Sequence, residues 1–179
     1  MRRRYRALRS ALAPTDRRTK NASITARVQK LFVYRRAEWL LAYAAIPERE
    51  ASPCLLIMHA WRRDKRVAFP RSNDDGTLTW LETTRETQFK RGAHGIFEPA
   101  GGASLDPMPP NAVALVPGVA FTRKGARLGQ GRGYFDRFLA EFEGTSIGLA
   151  YECQIVESLP LESHDRGVDF VVTEDAVYP

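Results

Sequence analysis

A glycine-rich segment in the second half of the chain contains the residue types and the spacing that could bind an anion. Gly129, Gly131 and Gly133 stand at every second position, where glycine permits positive φ angles and lets backbone N–H groups approach a ligand closely. Arg127 and Arg132 lie beside these glycines, and the N-terminus of a predicted helix follows them. These N–H groups, the helix N-terminus and two guanidinium groups together form a site for a phosphate.

Asp136 lies in the first turn of the helix that follows, and its carboxylate could hold a metal ion bound to the phosphates. The segment lacks the Gly-Lys-Ser/Thr of a Walker A loop, and Tyr134 occupies the place of the third glycine in the Gly-x-Gly-x-x-Gly dinucleotide fingerprint. The loop alone is also compatible with a flexible surface turn. The two arginines, the aspartate and the apolar strand predicted before them favour a phosphate site.

The elements that must position this segment alternate between strands and helices. The apolar run 112–116 is typical of a strand in a parallel sheet covered on both faces. Further strands are predicted at residues 39–43, 67–69, 78–81, 147–151 and 168–172. Four helices are predicted. The first has Leu8 and Leu12 on one face, and the second runs from residue 16 to about 35 with an N-cap at Thr15. The other two run from residue 52 to about 61 and from residue 134 to about 142.

Prolines and glycines punctuate this pattern. We expect Pro70 to stop the strand before it, residues 78–81 to form an exposed or edge strand, and residues 82–111 to form a long functional loop or lid. The order of elements predicts an α/β fold: a single three-layer domain, residues 1–179, with a mostly parallel central sheet flanked by helices and a basic N-terminal helix.

The net charge of +6 comes from a basic N-terminal arm. Residues 1–20 contain eight of the 27 Lys and Arg residues but one of the 21 Asp and Glu residues. Because the remainder has no basic stripe, no zinc-finger spacing and no run of about 18 apolar residues, neither nucleic acid nor a membrane is an expected partner. An RNA-binding arm and an organellar transit peptide stay open as alternatives.

The two cysteines indicate a reducing compartment. Cys54 and Cys153 lie far apart in apolar stretches, which predicts buried free thiols and a cytoplasmic protein. The lone His59 and His94 are expected to be structural or surface residues, and Trp39 and Trp61 to be core residues.

Several motifs occur in the same order as in one enzyme family. They are Gly95-Ile-Phe-Glu-Pro99, Pro117-Gly-Val-Ala-Phe121, Arg127-Leu-Gly-x-Gly-x-Gly-Tyr-Phe-Asp-Arg137, Ile147-Gly-Leu-Ala-Tyr-Glu-Cys-Gln154, Leu159-Pro160, His164-Asp165 and Val172-Thr-Glu174. From about Arg2 to Glu174, the chain resembles the 5-formyltetrahydrofolate cyclo-ligase (methenyltetrahydrofolate synthetase) family.

The resemblance implies a ligase that uses ATP and Mg²⁺ to convert 5-formyltetrahydrofolate, with or without a polyglutamate tail, into 5,10-methenyltetrahydrofolate. The formyl oxygen would take the γ-phosphoryl group of ATP, N10 would attack the activated carbon, and ADP and phosphate would be released. An amide oxygen is a poor leaving group until it is phosphorylated, which is why a cyclisation needs ATP. We also expect the protein to be a monomer.

The resemblance also implies roles for individual residues. Glu50 would lie near the formyl group and the N5–N10 region, Tyr134 would line the substrate site, and Arg132 would contact phosphate. Asp136 and Asp165 would hold Mg²⁺. ATP would be bound by Arg2, Arg6, Arg127, Leu128, Gly129, Gln130, Gly131, Arg132, Gly133, Tyr134 and Phe135. Within the arm, Arg9 is a further candidate to face ATP, whereas the other charges are expected to be solvated.

The chain departs from the family pattern at a few positions. Phe135 replaces one tyrosine of Tyr-Tyr-Asp, Gln130 stands where an aromatic or basic residue is common, and Ser52 stands where Asp is common. A family Lys would precede Met1, so either another arginine of the arm substitutes for it or the start lies too far downstream. These departures keep open a second hypothesis, a catalytically altered relative that binds folate or nucleotide without ring closure.

Two aromatic residues flank the predicted long loop. Trp80 and Phe97 are therefore the best candidates to stack on a flat pterin ring.

Overall fold

The computed structural model describes residues 1–92, 95–160, 162 and 165–179, so that His94 and His164 lie outside the described residues. The helices are α1 (Arg2–Ser10), α2 (Pro14–Lys30), α3 (Phe32–Arg36), α4 (Cys54–Arg62), α5 (Tyr134–Glu141) and a 3₁₀ turn (Glu152–Gln154). The strands are β1 (Trp39–Leu41), β2 (Arg66–Ser72), β3 (Leu78–Thr83), β4 (Phe89–Arg91), β5 (Phe97–Pro99), β6 (Ala112–Val116), β7 (Ala120–Thr122), β8 (Arg127–Leu128), β9 (Thr145–Leu149), β10 (Ile155–Val156), β11 (Phe170–Val172) and β12 (Val177–Tyr178).

Seven strands form the central sheet in the order β12-β11-β9-β6-β1-β2-β3. The five inner strands run parallel to one another, and the edge strands β12 and β3 are antiparallel to their neighbours. Parallel pairs require crossover connections, and helices supply several of them here. The predicted α/β fold, with a mostly parallel sheet between helices and a basic first helix, is confirmed.

The two faces of the sheet bury different helices. Leu40 packs in a cluster with residues of α2, α3 and α4, whereas its neighbours Trp39 and Leu41 pack in a second cluster with α5. This alternation follows from the two-residue period of a strand. The sheet therefore lies between two helical layers.

Helix α2 begins and ends differently from the prediction. Its N-cap is Ala13, with Pro14 in the first turn, so the predicted N-cap at Thr15 is wrong. It ends at Lys30 because Leu31 is extended, with ψ of 131°, and a separate helix α3 follows. The break interrupts the apolar face of the helix that was predicted to run to about residue 35, and Phe32, the first residue of α3, is 66% exposed.

Helix α1 exposes its leucine and buries an arginine. Leu8 is 41% exposed, whereas Arg9 is fully buried. The Arg9 guanidinium donates to the carbonyl oxygen of Gly118 at 3.0 Å, so this candidate to face ATP is held in the interior and does not line the cleft described below.

The segment around Pro70 and the predicted long loop also differ from expectation. Strand β2 continues through Pro70, which lies beyond the paired part of β1, so its missing N–H leaves no ladder bond unmade. Residues 82–111 include the β4–β5 hairpin and a bridge between Leu81 and Ser104. The segment is therefore partly ordered by strand pairing.

Three side-chain predictions have mixed outcomes. Trp39 is buried, but Trp80 is also buried in the second cluster against Phe138, which excludes it from stacking on a ligand. The two cysteines are free, as predicted, but Cys54 is exposed and Cys153 is half-buried. His59 contacts the hydroxyl of Tyr34 at 2.9 Å, in agreement with a structural role.

Candidate active site

A cleft of about 320 Å³ opens at the carboxyl ends of the central parallel strands. Tyr43 follows β1, Ser72 ends β2, and Pro117 follows β6, and all three line the cleft. In open α/β sheets this edge is where ligands bind, because the loops that follow neighbouring strands meet there.

Most of the predicted site residues share this cleft. The lining includes Arg6, Glu50, Arg127, Gly129, Gln130, Arg132, Gly133, Tyr134, Phe135 and Asp136. Arg2, Leu128, Gly131 and Asp165 lie outside the lining, and Leu128 packs instead in a small apolar cluster with Val119 and Ala120. Glu50 and the glycine-rich loop, about eighty residues apart along the chain, are thus brought to one site.

Two of the three alternating glycines adopt the backbone conformation that favours glycine. Gly131 has a φ of +101° and Gly133 has a φ of +72°, and Gly133 is the N-cap of α5. The loop therefore turns sharply into the helix, and the first residues of α5, whose N–H groups lack intrahelical partners, line the cleft.

Arg137 holds this loop against the neighbouring turn. Its guanidinium donates to the carbonyl oxygens of Arg132 at 2.9 Å and of Gly76 at 2.8 Å. Tyr134 reaches the same turn, where its hydroxyl donates to the carbonyl oxygen of Asn73 at 3.3 Å. In the sequence, Arg137 is only the last residue of a quoted motif. Its positioning role depends on the turn that contains Gly76, about sixty residues away in sequence.

A buried ion pair lies beneath the loop. The Arg127 guanidinium, whose side chain is 3% exposed, donates to Asp136 Oδ1 at 2.5 Å. Burial lowers the pKa of Arg127, and the negative charges of Asp136 and Asp165 oppose this shift. Arg127 therefore serves as a fixed positive charge in the wall of the cleft.

The basic first helix lies against the glycine-rich loop. Arg2 Nε donates to the carbonyl oxygen of Gly129 at 3.0 Å, and Arg6 Nη2 donates to Gln130 Oε1 at 2.7 Å. Two of the arm's charges thus meet the loop that was predicted to bind phosphate.

Glu50 is a buried carboxylate of the cleft that contacts the glycine-rich loop. It is 8% exposed, its Oε2 accepts from the backbone N–H of Ile46 at 2.9 Å, and its Oε1 accepts from Gln130 Nε2 at 3.4 Å. Burial raises the pKa of Glu50, and these two donors and the charge of Arg9 limit the rise. A carboxylate whose pKa is raised by burial is a stronger base than an exposed one, which suits it to proton transfer.

The β4–β5 hairpin contributes groups that were not predicted individually. Glu98 is buried and accepts from the backbone N–H of Ser72 at 3.1 Å, and it lines the cleft beside Ile96 and Phe97. Phe97 is 50% exposed, so it is the available aromatic ring among the two candidates for pterin stacking. Glu98 belongs to a quoted motif, but only the pairing of β4 with β5 shows that it faces the cleft.

The two predicted metal ligands lie close together at the end of the loop. Asp136 Oδ1 accepts from the backbone N–H of Arg166 at 3.5 Å, which places the neighbouring Asp165 beside it, and Asp165 Oδ2 accepts from the N–H of Glu162 at 2.8 Å. No group of three or more metal-ligating side chains occurs among the described residues. One or two carboxylates completed by phosphate oxygens is the usual arrangement for Mg²⁺, and these residues fit it.

The position of the cleft, its fixed cations and its carboxylates define an α/β enzyme that acts on an anionic ligand, and comparison with known proteins identifies the family. The model of the 5-formyltetrahydrofolate cyclo-ligase family matches residues 1–174. The chain therefore belongs to this family, and the prediction of a ligase is confirmed.

Two curated relatives support the assignment. The chain is 32% identical over 166 residues to the 5-formyltetrahydrofolate cyclo-ligase of Haemophilus influenzae, covering 89% of this chain and 88% of that protein. It is 34% identical over 133 residues to the 5-formyltetrahydrofolate cyclo-ligase of Escherichia coli K12, covering 69% and 71%.

Two solved structures have the same fold. The 5,10-methenyltetrahydrofolate synthetase of Aquifex aeolicus is 29% identical, with a TM-score of 0.84 over 98% of this chain and 89% of that chain. The Mycoplasma pneumoniae 5,10-methenyltetrahydrofolate synthetase, at 20% identity and a TM-score of 0.73, covers 97% and 96% and supports the fold alone.

Proposed function

We propose that the protein converts 5-formyltetrahydrofolate into 5,10-methenyltetrahydrofolate at the expense of ATP, releasing ADP and phosphate. The observation that carries the proposal is that one cleft contains both the glycine-rich loop and Glu50. The loop and the arginines near it offer N–H groups and guanidinium groups for a triphosphate, and Glu50 and Phe97 offer a buried carboxylate and an exposed ring for a folate.

The proposed chemistry proceeds in two steps. The formyl oxygen attacks the γ-phosphorus and ADP leaves, which converts the N5 formyl group into an imidate phosphate. N10 then attacks the activated carbon, loses its proton, and phosphate is expelled as the methenyl bridge forms. Holding the two substrates in contact contributes much of the rate, because the reaction becomes effectively intramolecular.

The arginines of the cleft stabilise the charge that is transferred. Arg127 is fixed by its pair with Asp136, while Arg132 and Arg6 project from the rim, where they can move onto phosphate oxygens. Because Arg127 is already fixed, it can stabilise a transferring phosphoryl group without rearrangement. Arg2 supports the loop through Gly129.

Asp136 and Asp165 would hold Mg²⁺, which neutralises phosphate charge when bound. Asp136 accepts from Arg127 through Oδ1, and its second oxygen takes no part in that contact. Glu50 accepts the proton that N10 loses, and Tyr134, on the first turn of α5, lines the substrate side. Phe97 stacks on the pterin.

The test is a turnover assay with 5-formyltetrahydrofolate, ATP and Mg²⁺ that monitors methenyl absorbance. We expect product at micromolar enzyme, none without ATP, and little with Asp136→Ala. Arg132→Met should lower kcat/KM for ATP by about 10- to 100-fold, the value of a hydrogen bond to a charged group, whereas Arg18→Met on the exposed face of α2 should be neutral. Absence of product from the wild-type protein refutes the proposal.

The same assay, together with a measurement of binding, distinguishes the second hypothesis, a relative that binds folate or nucleotide without closing the ring. Gln130 and Phe135 favour it, since both line the cleft and depart from the family pattern. Folate or nucleotide that raises the melting temperature while no methenyl product forms would support this hypothesis instead.

We also propose that residues 1–179 act as one domain and as a cytoplasmic monomer. The free thiols of Cys54 and Cys153 support a reducing compartment. Within the described residues, no helix combines the length and the apolar character needed to cross a bilayer. A polyglutamate tail on the substrate would be anionic, and competition between folates with one and several glutamates tests whether it is recognised.

A further inference from the structure

Arg9 is a buried cation that the proposed chemistry does not use. It is fully buried, and its one hydrogen bond runs from Nη1 to the carbonyl oxygen of Gly118. Nε and Nη2 have no hydrogen-bond partner among the described residues. Burying a guanidinium group in this way is costly, so its retention requires a compensating interaction.

Among the acidic groups, Glu50 has the strongest electrostatic influence on Arg9. Burial lowers the pKa of Arg9, and Glu50 is the strongest influence that opposes this shift. The other groups that face Glu50 are Arg49 on the same loop, Tyr43 after β1 and the backbone N–H of Ile46. Arg9 is therefore a buried positive charge of α1 that acts electrostatically on the cleft carboxylate.

A second connection runs from α1 to Glu50 on the open side of the cleft. Arg6 Nη2 donates to Gln130 Oε1 at 2.7 Å, and Gln130 Nε2 donates to Glu50 Oε1 at 3.4 Å. The amide orientation is dictated by its neighbours, since arginine only donates and an ionised carboxylate only accepts. Protonation of Glu50 at Oε1 would place two donors against each other, so Gln130 selects the ionised form.

We infer that α1 sets the charge state of Glu50, with Arg9 and Gln130 as positioning residues, the first through its charge and the second by relaying the contact of Arg6. The inference rests on the proposed function, in which ionised Glu50 accepts the N10 proton. The first helix would thus bind the phosphates and prepare the folate side of the same cleft.

The variant Gln130→Met removes the amide that donates to Glu50, and Arg9→Met removes the buried positive charge that acts on Glu50. Gln130 is exposed, so its variant should fold normally, and Gln88→Met, at an exposed position outside the cleft, is the matched control. Both substitutions favour the protonated form of Glu50. The quantity to compare is kcat/KM for 5-formyltetrahydrofolate at the acid end of the pH profile, divided by its value on the alkaline plateau. We expect this ratio to fall about threefold for Gln130→Met and about tenfold for Arg9→Met.

A measurement without turnover provides the independent readout. Both interactions stabilise ionised Glu50 in the folded state, so their contribution to the unfolding free energy is present at pH values above the pKa of Glu50 and is lost as the pH falls through it. The difference in unfolding free energy between wild type and each variant should therefore widen as the pH rises. In a Glu50→Gln background, the same difference should not depend on pH.

The two readouts separate the inference from the function that it deepens. A pH-dependent stability difference that disappears in the Glu50→Gln background supports the inference even if no methenyl product forms. Variants whose stability and pH–rate profiles run parallel to those of the wild type overturn it, even if the wild-type protein is an active cyclo-ligase. A merely structural role for Arg9 or Gln130 would produce such parallel profiles.

Discussion

The pair between Arg127 and Asp136 allows a quantitative prediction for Asp136→Asn. The substitution leaves the Arg127 guanidinium, with its side chain 3% exposed, without its ion-pair partner. Removing one partner of a buried pair costs about 3 to 5 kcal/mol, because an uncompensated charge stays in the protein interior. Asp136 itself is 15% exposed and Asp165 remains near Arg127, so we expect the lower end of this range.

A loss of about 3 kcal/mol corresponds to a roughly hundredfold larger unfolding equilibrium constant. The assay is urea denaturation at pH 7, comparing midpoints and slopes for wild type, Asp136→Asn and Asp74→Asn, an exposed aspartate in the turn after β2. Asp74→Asn should change the unfolding free energy by less than about 0.5 kcal/mol.

The double variant Arg127→Met/Asp136→Asn tests the cause of the destabilisation. It removes the buried charge and fills similar volume with an apolar side chain, so it should recover at least about half of the stability lost by Asp136→Asn alone. Both variants should be inactive, because each lacks the proposed metal ligand. An Asp136→Asn protein as stable as Asp74→Asn, or a double variant less stable than the single one, would refute the reasoning.

Three further predictions concern the walls of the cleft. Phe97→Ala should raise KM for the folate about three- to tenfold through lost stacking, with little change in stability because the ring is half exposed, and Phe32→Ala, at a remote exposed ring, should change neither quantity. Gly133→Ala should lower the unfolding free energy by about 1 to 2 kcal/mol, because residue 133 has a φ of +72°. Gly101→Ala is the control and should not lower it, because the added methyl group would lie in open space. The midpoints of urea denaturation measure both effects. Burial raises the pKa of Glu50, so the folded state keeps this proton over a pH range in which the unfolded chain has lost it. Its contribution to stability therefore falls as the pH rises through that window, so the unfolding free energy of Glu50→Gln should rise relative to that of wild type across it. Equal pH dependence of the two unfolding midpoints would contradict this assignment.

Local chemistry made much of the site predictable. Positive φ angles at Gly131 and Gly133, and a helix that begins at Tyr134, follow from the alternation of glycines before an amphipathic segment. The strand Ala112–Val116 follows from a continuous apolar run. These features depend on contacts within a few residues, so a single sequence is sufficient to predict them.

Side-chain exposure was predicted least well. Trp80 was expected in the cleft and lies in the core, because β3 pairs with β2 in a register that directs its ring toward Phe138 on α5. Arg9 was named as a candidate to face ATP and is buried, whereas Leu8 was expected on an apolar face and is 41% exposed. Helical periodicity identifies a face, but the neighbours that cover that face come from elsewhere in the chain.

The sequence by itself determined the alternation of the main strands and helices, the glycine-rich loop and the family resemblance, since each depends on residue types at short spacing. Only the tertiary structure decided that Glu50 contacts this loop, that Gln130 connects Glu50 to Arg6, and that Arg9 is buried. The contacts of Gln130 join residues from 80 to over 120 positions apart. Their existence depends on how the sheet and helices pack, which no local pattern specifies.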